Sequence, residues 1–185
     1  MSKTISISTK KGDSGESFLA NGKKYQKDNI VFEVLGTIDE LNSHIGLAVA
    51  QLRNLEALFT LELITELQIM QSNLYKLSGI IAGAKITLSK KELTHIEKLG
   101  DQLQTKMANG WTTQFLYPGG SVIGAQLDVA RTVCRRVERL IVTFSKDQKQ
   151  EPIIAKYINR LSDTLFIIRC YVNMESGIAE KKFSK

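Results

Sequence analysis

The chain has 185 residues, 43% of them hydrophobic, and only two prolines, which suits one well-buried domain and gives no sign of a linker between two. Its net charge of +6 and pI of 9.3 favour acidic ligands, although Lys23, Lys24, Lys27, Lys181, Lys182 and Lys185 put much of that charge in predicted loops and the tail. No run approaches the ~18 uninterrupted apolar residues of a membrane span, and the polar start Met1-Ser2-Lys3-Thr4 has no signal-peptide apolar region, so a cytoplasmic protein with no membrane partner is expected.

The alternation of Ile5 and Ile7 with polar neighbours predicts a short extended segment, and Lys10-Lys11-Gly12-Asp13-Ser14-Gly15 predicts a turn. From there the period is helical. Val34, Ile38, Leu41, Ile45, Ala48 and Leu52 recur in steps of four and three, as do Leu63, Leu67, Met70, Leu74, Leu77 and Ile81, which predicts two bundle-facing stripes. Ser89 followed by Glu92 is a capping box, with Leu88 and Leu93 as its staple, and the helix it opens runs through Ile96 and Leu103 to a stop near Asn109-Gly110. After the Pro118-Gly119-Gly120 break comes a helix with the stripe Leu127, Ala130, Cys134, Val137, Ile141 and Phe144. A last helix begins near Pro152 and carries Ile154, Ile158, Leu161, Leu165, Ile168 and Val172. The reading is therefore all-α: a five-helix antiparallel bundle over residues 29–178, preceded by a loop segment over 1–28, in one domain spanning 1–185.

Cys134 and Cys170 lie in helical stripes and in no Cys-x-x-Cys unit, so they read as small buried hydrophobes. Glu92 and His95 have the Glu-x-x-His form of a di-iron bundle, but a second copy is absent and Glu92 is already engaged as a cap.

The segment Ala130–Glu138 and Arg139 concentrates four arginines and a glutamate on one helix. At about 100° per residue, Arg131, Arg135 and Glu138 line the flank of the apolar stripe, Arg139 extends that row, and Arg136 falls on the far side and should be solvated. Guanidinium groups stay charged and offer forked donors that match phosphate oxygens, so the row reads either as a polyphosphate clamp or as a set of structural ion pairs. Thr9, Lys10, Lys11, Gly12, Asp13, Gly15 and Ser17 combine hydroxyls, ammoniums and glycines that could wrap phosphates, or form an ordinary polar loop; the segment is not a Walker A motif. Asp39, beside the stripe of its helix, could orient a core-edge arginine for function or for structure alone. Phe115, in the apolar loop Phe115–Ser121, could present a ring to a flat ligand or plug the core, and Asn159 on the last helix can both donate to and accept from a ribose or base. Arg160 and Asp163 read as a local surface pair.

Taken in order, the blocks Thr9–Ser17, Phe32–Gly46, Phe115–Ile141 and Lys156–Asn173 resemble the cobalamin adenosyltransferases of the PduO type, the ATP:corrinoid adenosyltransferases. The resemblance spans nearly the whole chain. It implies a ferritin-like five-helix bundle and transfer of the 5′-deoxyadenosyl group of ATP to the cobalt of reduced cob(I)alamin, with adenosylcobalamin and triphosphate as products and Mg²⁺ required. It further implies that Thr9, Lys10, Lys11, Gly12, Asp13, Gly15, Ser17 and Lys27 hold the triphosphate, that Arg135, Glu138, Arg139 and Asn159 contact ATP, and that Asp39 and Arg131 form a salt bridge shaping the site. Phe115 corresponds to the aromatic that keeps the corrinoid free of its lower axial ligand. No metal ligand is fixed by the sequence, Glu138 being the carboxylate offered to Mg²⁺. Members are homotrimers with sites between subunits; a corrinoid reductase and a B12-dependent acceptor enzyme are the implied partners.

The sequence departs from that pattern at four places: Lys11 and Ser17 replace threonines, Asp128 stands where histidine is common, and Arg169-Cys170-Tyr171 replaces Ala-Arg-Tyr, displacing an arginine by one residue. A one-residue shift rotates a helical side chain by about 100°. A protein that keeps the binding sites without turnover, or a basic helical module for nucleic acid, are the alternatives; the second lacks any groove-reading motif.

Overall fold

The computed structural model describes residues 10, 12–55, 57–107, 111, 114–148 and 150–184. The extended segment predicted around Ile5 and Ile7, the stop at Asn109-Gly110, and Thr9 and Lys11 lie outside these residues.

Five helices carry the fold: α1 (Ile30–Leu52), α2 (Phe59–Ile81), α3 (Lys90–Lys106), α4 (Val122–Phe144) and α5 (Pro152–Glu175). Every member of the four predicted stripes on α1, α2, α4 and α5 is buried, as are Ile96 and Leu103 of α3. The helices start where local chemistry satisfies their free amides. Asn29 Oδ1 accepts from Val31 N at 3.0 Å, Ser121 Oγ accepts from Gly124 N at 2.9 Å, and Pro152, with no N–H to satisfy, opens α5. At Ser89 the capping box closes in both directions: Lys91 N donates to Ser89 Oγ at 3.2 Å and Ser89 N to Glu92 Oε2 at 3.0 Å.

The packing order around the bundle is α2–α1–α4–α5–α3. Ion pairs from Glu62 to Lys106 and from Lys76 to Glu92 then close α3 back onto α2. Five helices in a ring cannot alternate throughout, and α3 and α5 form the parallel pair: Glu97 meets Arg160 at one end and Lys106 lies over the Tyr171 ring at the other. Between α2 and α5 the one fully buried tyrosine hydroxyl, that of Tyr157, accepts from Asn73 Nδ2 at 3.1 Å. Burial pushes the Tyr157 and Cys134 groups well above their ordinary ionisation ranges, and Cys170 up to about 11. Both cysteines are free and buried. No helix among the described residues is long and apolar enough to cross a membrane.

The N-terminal segment contains structure that the sequence reading had as loop. β1 (Glu16–Phe18) and β2 (Lys24–Gln26) form an antiparallel hairpin in which Ser17 faces Tyr25. Three-residue strands are too short for a period-2 signal, but Asn21-Gly22 at the tip is a hairpin signature, with Gly22 at φ 79°. Asn21 N donates to Ala82 O at 3.3 Å, so the tip rests on the end of α2.

Candidate active site

Antiparallel packing of α4 against α5 pairs positions along the two helices. Glu138 accepts from Asn159 Nδ2 at 3.1 Å, bringing together two residues that the sequence had assigned to one ligand. One turn earlier Arg135 is exposed, and among the described residues its side chain makes no hydrogen bond or ion pair. Arg139 folds back, Nη1 donating to the Arg135 carbonyl at 3.0 Å. Arg131 is half-buried; its Nε stands 3.6 Å from Asp128 Oδ1 and, although buried, lacks a hydrogen-bond partner.

Asp39 and Arg131 do not meet within the chain: Asp39 is exposed, and the carboxylate beside Arg131 is Asp128, three residues back on the same helix. Arg136 keeps 43% of its side chain exposed. It turns toward α1 and bonds Glu40, because α1 and α4 pack along this face and Glu40, one position past Asp39, is the acid that points there. His44 Nδ1 accepts from Gln126 Nε2 across the same interface at 2.8 Å.

Between α3, α4, α5 and the loop before α4 lies a cleft of about 590 Å³ whose walls include Trp111, Phe115, Arg131, Arg135, Ser162 and Phe166. That volume and its mix of aromatic and cationic walls suit an organic ligand of cofactor size. Phe115 is 85% exposed, so it does not plug the core of this chain. The Arg131 guanidinium lies 5.9 Å over the Phe166 ring, and Trp111 stacks on the same ring at 6.1 Å and 30°. Trp111 was missed by sequence reasoning. Its only signal was being the chain's single tryptophan in a polar turn.

The displaced arginine does not reach this cleft. Arg169 is 1% exposed and bonds Asp128 at 3.0 Å, the carbonyls of Tyr117 and Gly119 at 2.7 and 3.1 Å, and Glu180. Burial works against its charge, but the bonds to Cys170 and Glu180 and the Asp128 carboxylate outweigh it and hold the guanidinium above its ordinary value. Asp128 and Arg169, two departures from the family pattern, are thus partners.

The N-terminal turn is closed by backbone bonds from Asp13 to Lys10 and from Gly15 to Gly12, both 3.3 Å, and from Lys27 to Gly15 at 2.8 Å. Lys10 at φ 55° and Gly15 at φ 79° bend the chain so that amides can face one side. A Cβ at Gly12 would stand 3.0 Å from Lys27 Nζ, so the absent side chain is what lets that ammonium lie over the turn. Ser17 sits in β1. Among the described residues no hydrogen bond joins this turn to Arg135, Glu138, Arg139 or Asn159.

His95 bonds Glu66 at 2.7 Å, and Glu92 is shared by Ser89 and Lys76. Among the described residues no three His, Cys, Asp or Glu side chains converge as a metal site.

Comparison with known proteins adds an independent line. Residues 7–172 match the family model described as cobalamin adenosyltransferase. The corrinoid adenosyltransferase of Bacillus subtilis (strain 168) is 34% identical over 187 residues, covering 98% of this chain and 93% of that protein. The corrinoid adenosyltransferase MMAB of Homo sapiens is 34% identical over 195 residues, 97% of this chain and 73% of that one. A solved structure of a variant PduO-type ATP:corrinoid adenosyltransferase from Lactobacillus reuteri, complexed with cobalamin and ATP, superposes with a TM-score of 0.88 at 25% identity, covering 97% of this chain and 100% of that chain.

Proposed function

The chain belongs to the cobalamin adenosyltransferase family and is an ATP:corrinoid adenosyltransferase, and on that premise we propose which of its own residues carry the transfer. The observation that bears most weight is Arg135: exposed and without a side-chain partner among the described residues, it lines the cleft that also holds Phe115 and lies one turn from the Glu138–Asn159 pair.

In the reaction the cobalt(I) electron pair forms a bond to the ribose C5′, the C5′–O bond breaks, and triphosphate departs with that bond's electrons. No proton needs to be removed, so the cations and rings of the cleft suffice and the Asp163 carboxylate on its wall is not needed as a base. Arg135 is proposed to neutralise the charge growing on the leaving triphosphate, with Arg139 beside it; one well-placed donor of this kind contributes about 3 kcal/mol. Asn159 and Glu138 hold the nucleoside by hydrogen bonds, and their mutual contact at 3.1 Å sets both before ATP arrives. Lys10, Gly12, Asp13, Gly15, Ser17 and Lys27, with Thr9 and Lys11 from outside the described residues, are proposed to wrap the triphosphate. Phe115, with Trp111 and Phe166 behind it, takes the flat corrinoid and shields the cobalt face from an axial ligand.

Mg²⁺ fits the donor set only as an ion carried in by ATP. One half-buried carboxylate, Glu138, stands near the proposed phosphate path, and a hard cation that keeps most of its water needs little more than that besides phosphate oxygens. It would supply further neutralisation of the triphosphate.

Because no hydrogen bond among the described residues joins the turn to the arginine row in one chain, we place the complete site between copies, in a homotrimer. The same arrangement gives exposed Asp39 a partner, Arg131 of a neighbouring copy, whose Nε is otherwise without an acceptor. Free cysteines and the lack of a membrane-crossing helix among the described residues support a cytoplasmic location, where a corrinoid reductase would supply the electron and a B12-dependent enzyme would take the product.

The test is anaerobic incubation with chemically reduced cobalamin, ATP and Mg²⁺, following the visible spectrum. Light-sensitive adenosylcobalamin and one triphosphate per turnover are expected. ATP binding without triphosphate release would replace this reading with that of a nucleotide-binding protein.

A further inference from the structure

The arginine that the sequence displaced by one residue lies behind the loop that carries Phe115, and its surroundings are those of an anchor. Arg169 carries five N–H groups and all five have acceptors: Nε goes to Asp128, Nη1 to Glu180 and Cys170, and Nη2 to the carbonyls of Tyr117 and Gly119. Asp128 Oδ2 also accepts from Gly119 N at 2.9 Å. One turn along α5, fully buried Asn173 repeats the pattern. Its Nδ2 donates to Gly119 O and to Glu180 Oε1, each at 3.0 Å, and its Oδ1 accepts from Ser121 N at 2.9 Å and Ser121 Oγ at 2.8 Å. Gly120, at φ 98°, passes so close that a Cβ there would stand 2.2 Å from Asn173 Nδ2.

Glu180 belongs to the segment after α5, and that segment runs back along the loop, joined to it by an isolated antiparallel bridge between Leu116 and Lys182. Tyr117 N donates to Lys181 O at 2.8 Å and Phe183 N to Phe115 O at 2.7 Å, and the Tyr117 and Phe183 rings meet edge to face at 6.0 Å. The Phe115 carbonyl and the Tyr117 N–H are therefore committed to the C-terminal segment, while the Phe115 ring is left standing in the cleft.

We propose that Arg169 is a positioning residue for the transfer reaction: through Asp128, Asn173 and Glu180 it clamps the 115–121 loop and the C-terminal segment into one unit, and this unit fixes the Phe115 ring over the corrinoid position. The proposal rests on the transferase reading. Phe115 side-chain packing cannot hold the ring, because 85% of it is exposed; the backbone bonds must. Glu180 is the part of the clamp that lies outside the helices, so its removal loosens the loop without opening a cavity in the bundle.

The experiment compares wild type, Glu180→Ala and Arg169→Lys. In Glu180→Ala, kcat for adenosylcobalamin formation is expected to fall about tenfold while KM for ATP stays within about twofold, since a small displacement of a reacting group is costly and the nucleotide contacts lie elsewhere. The fraction of bound cob(II)alamin showing the spectrum of the form without axial ligand should fall in parallel. Arg169→Lys keeps the charge beside Asp128 but cannot fork to both carbonyls, so it should restore the melting temperature more fully than the activity. Wild-type kcat and an unchanged cob(II)alamin spectrum in Glu180→Ala would overturn the proposal, as would a rise in KM for ATP matching the loss in kcat. Should wild type itself form no adenosylcobalamin, the transferase reading fails first; amide exchange at Tyr117 and Phe183 then tests the clamp alone. Faster exchange in Glu180→Ala supports it, and unchanged exchange overturns it.

Discussion

Arg135 and Arg169 sit on facing helices, both beside an apolar stripe, and their surroundings are opposite. Arg169 is 1% exposed, with an acceptor for every N–H, and it serves the loop and tail at one end of the α4–α5 interface. Arg135 is exposed, has no side-chain partner among the described residues, and faces a cleft that Phe115 also lines. A guanidinium whose donors are all used is part of the framework; one that is held near a core with its donors free is available to a ligand. The same contrast separates the loop end of the bundle, closed within one chain, from the α4 row, where Arg135 has no side-chain partner among the described residues.

The contrast is broken most forcefully from the closed side. Arg169→Met leaves Asp128 and Glu180 without their cation in a buried setting, which should cost about 3–5 kcal/mol, read as a lowered urea midpoint. Arg135→Ala should do the reverse, lowering kcat by about 10²–10³ with an unchanged melting curve, since nothing in the fold leans on an exposed and unpaired side chain. An intact rate there would end the clamp argument for the α4 row. Phe115→Ala should slow conversion that starts from cob(II)alamin about tenfold, equivalent to about 1.4 kcal/mol, and leave KM for ATP and the melting temperature alone. Equal losses in corrinoid and ATP terms would make Phe115 a general packing residue instead.

The smallest effect lies far from the site and calibrates the rest. Lys76 and Ser89 hold the Glu92 carboxyl down to about 2 from an ordinary 4.5. A carboxyl lowered on folding stabilises the protein above its unfolded value and loses that contribution as pH falls. The advantage of wild type over Glu92→Gln, about 1 kcal/mol for a helix cap, should thus be full above pH 4.5 and vanish as pH drops toward 2. A difference that persisted below pH 2 would mean that the cap acts through shape and not charge.

Most of the fold was legible because burial is written in the period. The stripes from Val34 to Leu52 and from Leu127 to Phe144 are buried member by member, and Ser89 and Pro152 open helices where their chemistry requires. Period cannot show which neighbour a flank faces, so the contact of half-exposed Arg136 with Glu40 of α1 was not legible in it. The hairpin was hidden by the shortness of its strands. At the site, the pairing of Glu138 with Asn159 was foreseeable from composition and resemblance, but Arg169 was not: its burial depends on Asp128, 41 residues earlier, and on a tail that returns to the loop, neither of which leaves a local pattern.

The central claim is that the open groups of one chain are completed by another, the N-terminal turn of one copy meeting the α4 row of the next. Co-expressing Lys27→Ala with Arg135→Ala chains, each inactive alone, and assaying the mixed assemblies tests it. Sites built between copies should recover activity in about a quarter of the positions, those that draw the intact turn from one variant and the intact row from the other. Activity no greater than that of either variant alone would mean that turn and row act within the same chain, and the account of an intersubunit site would be wrong.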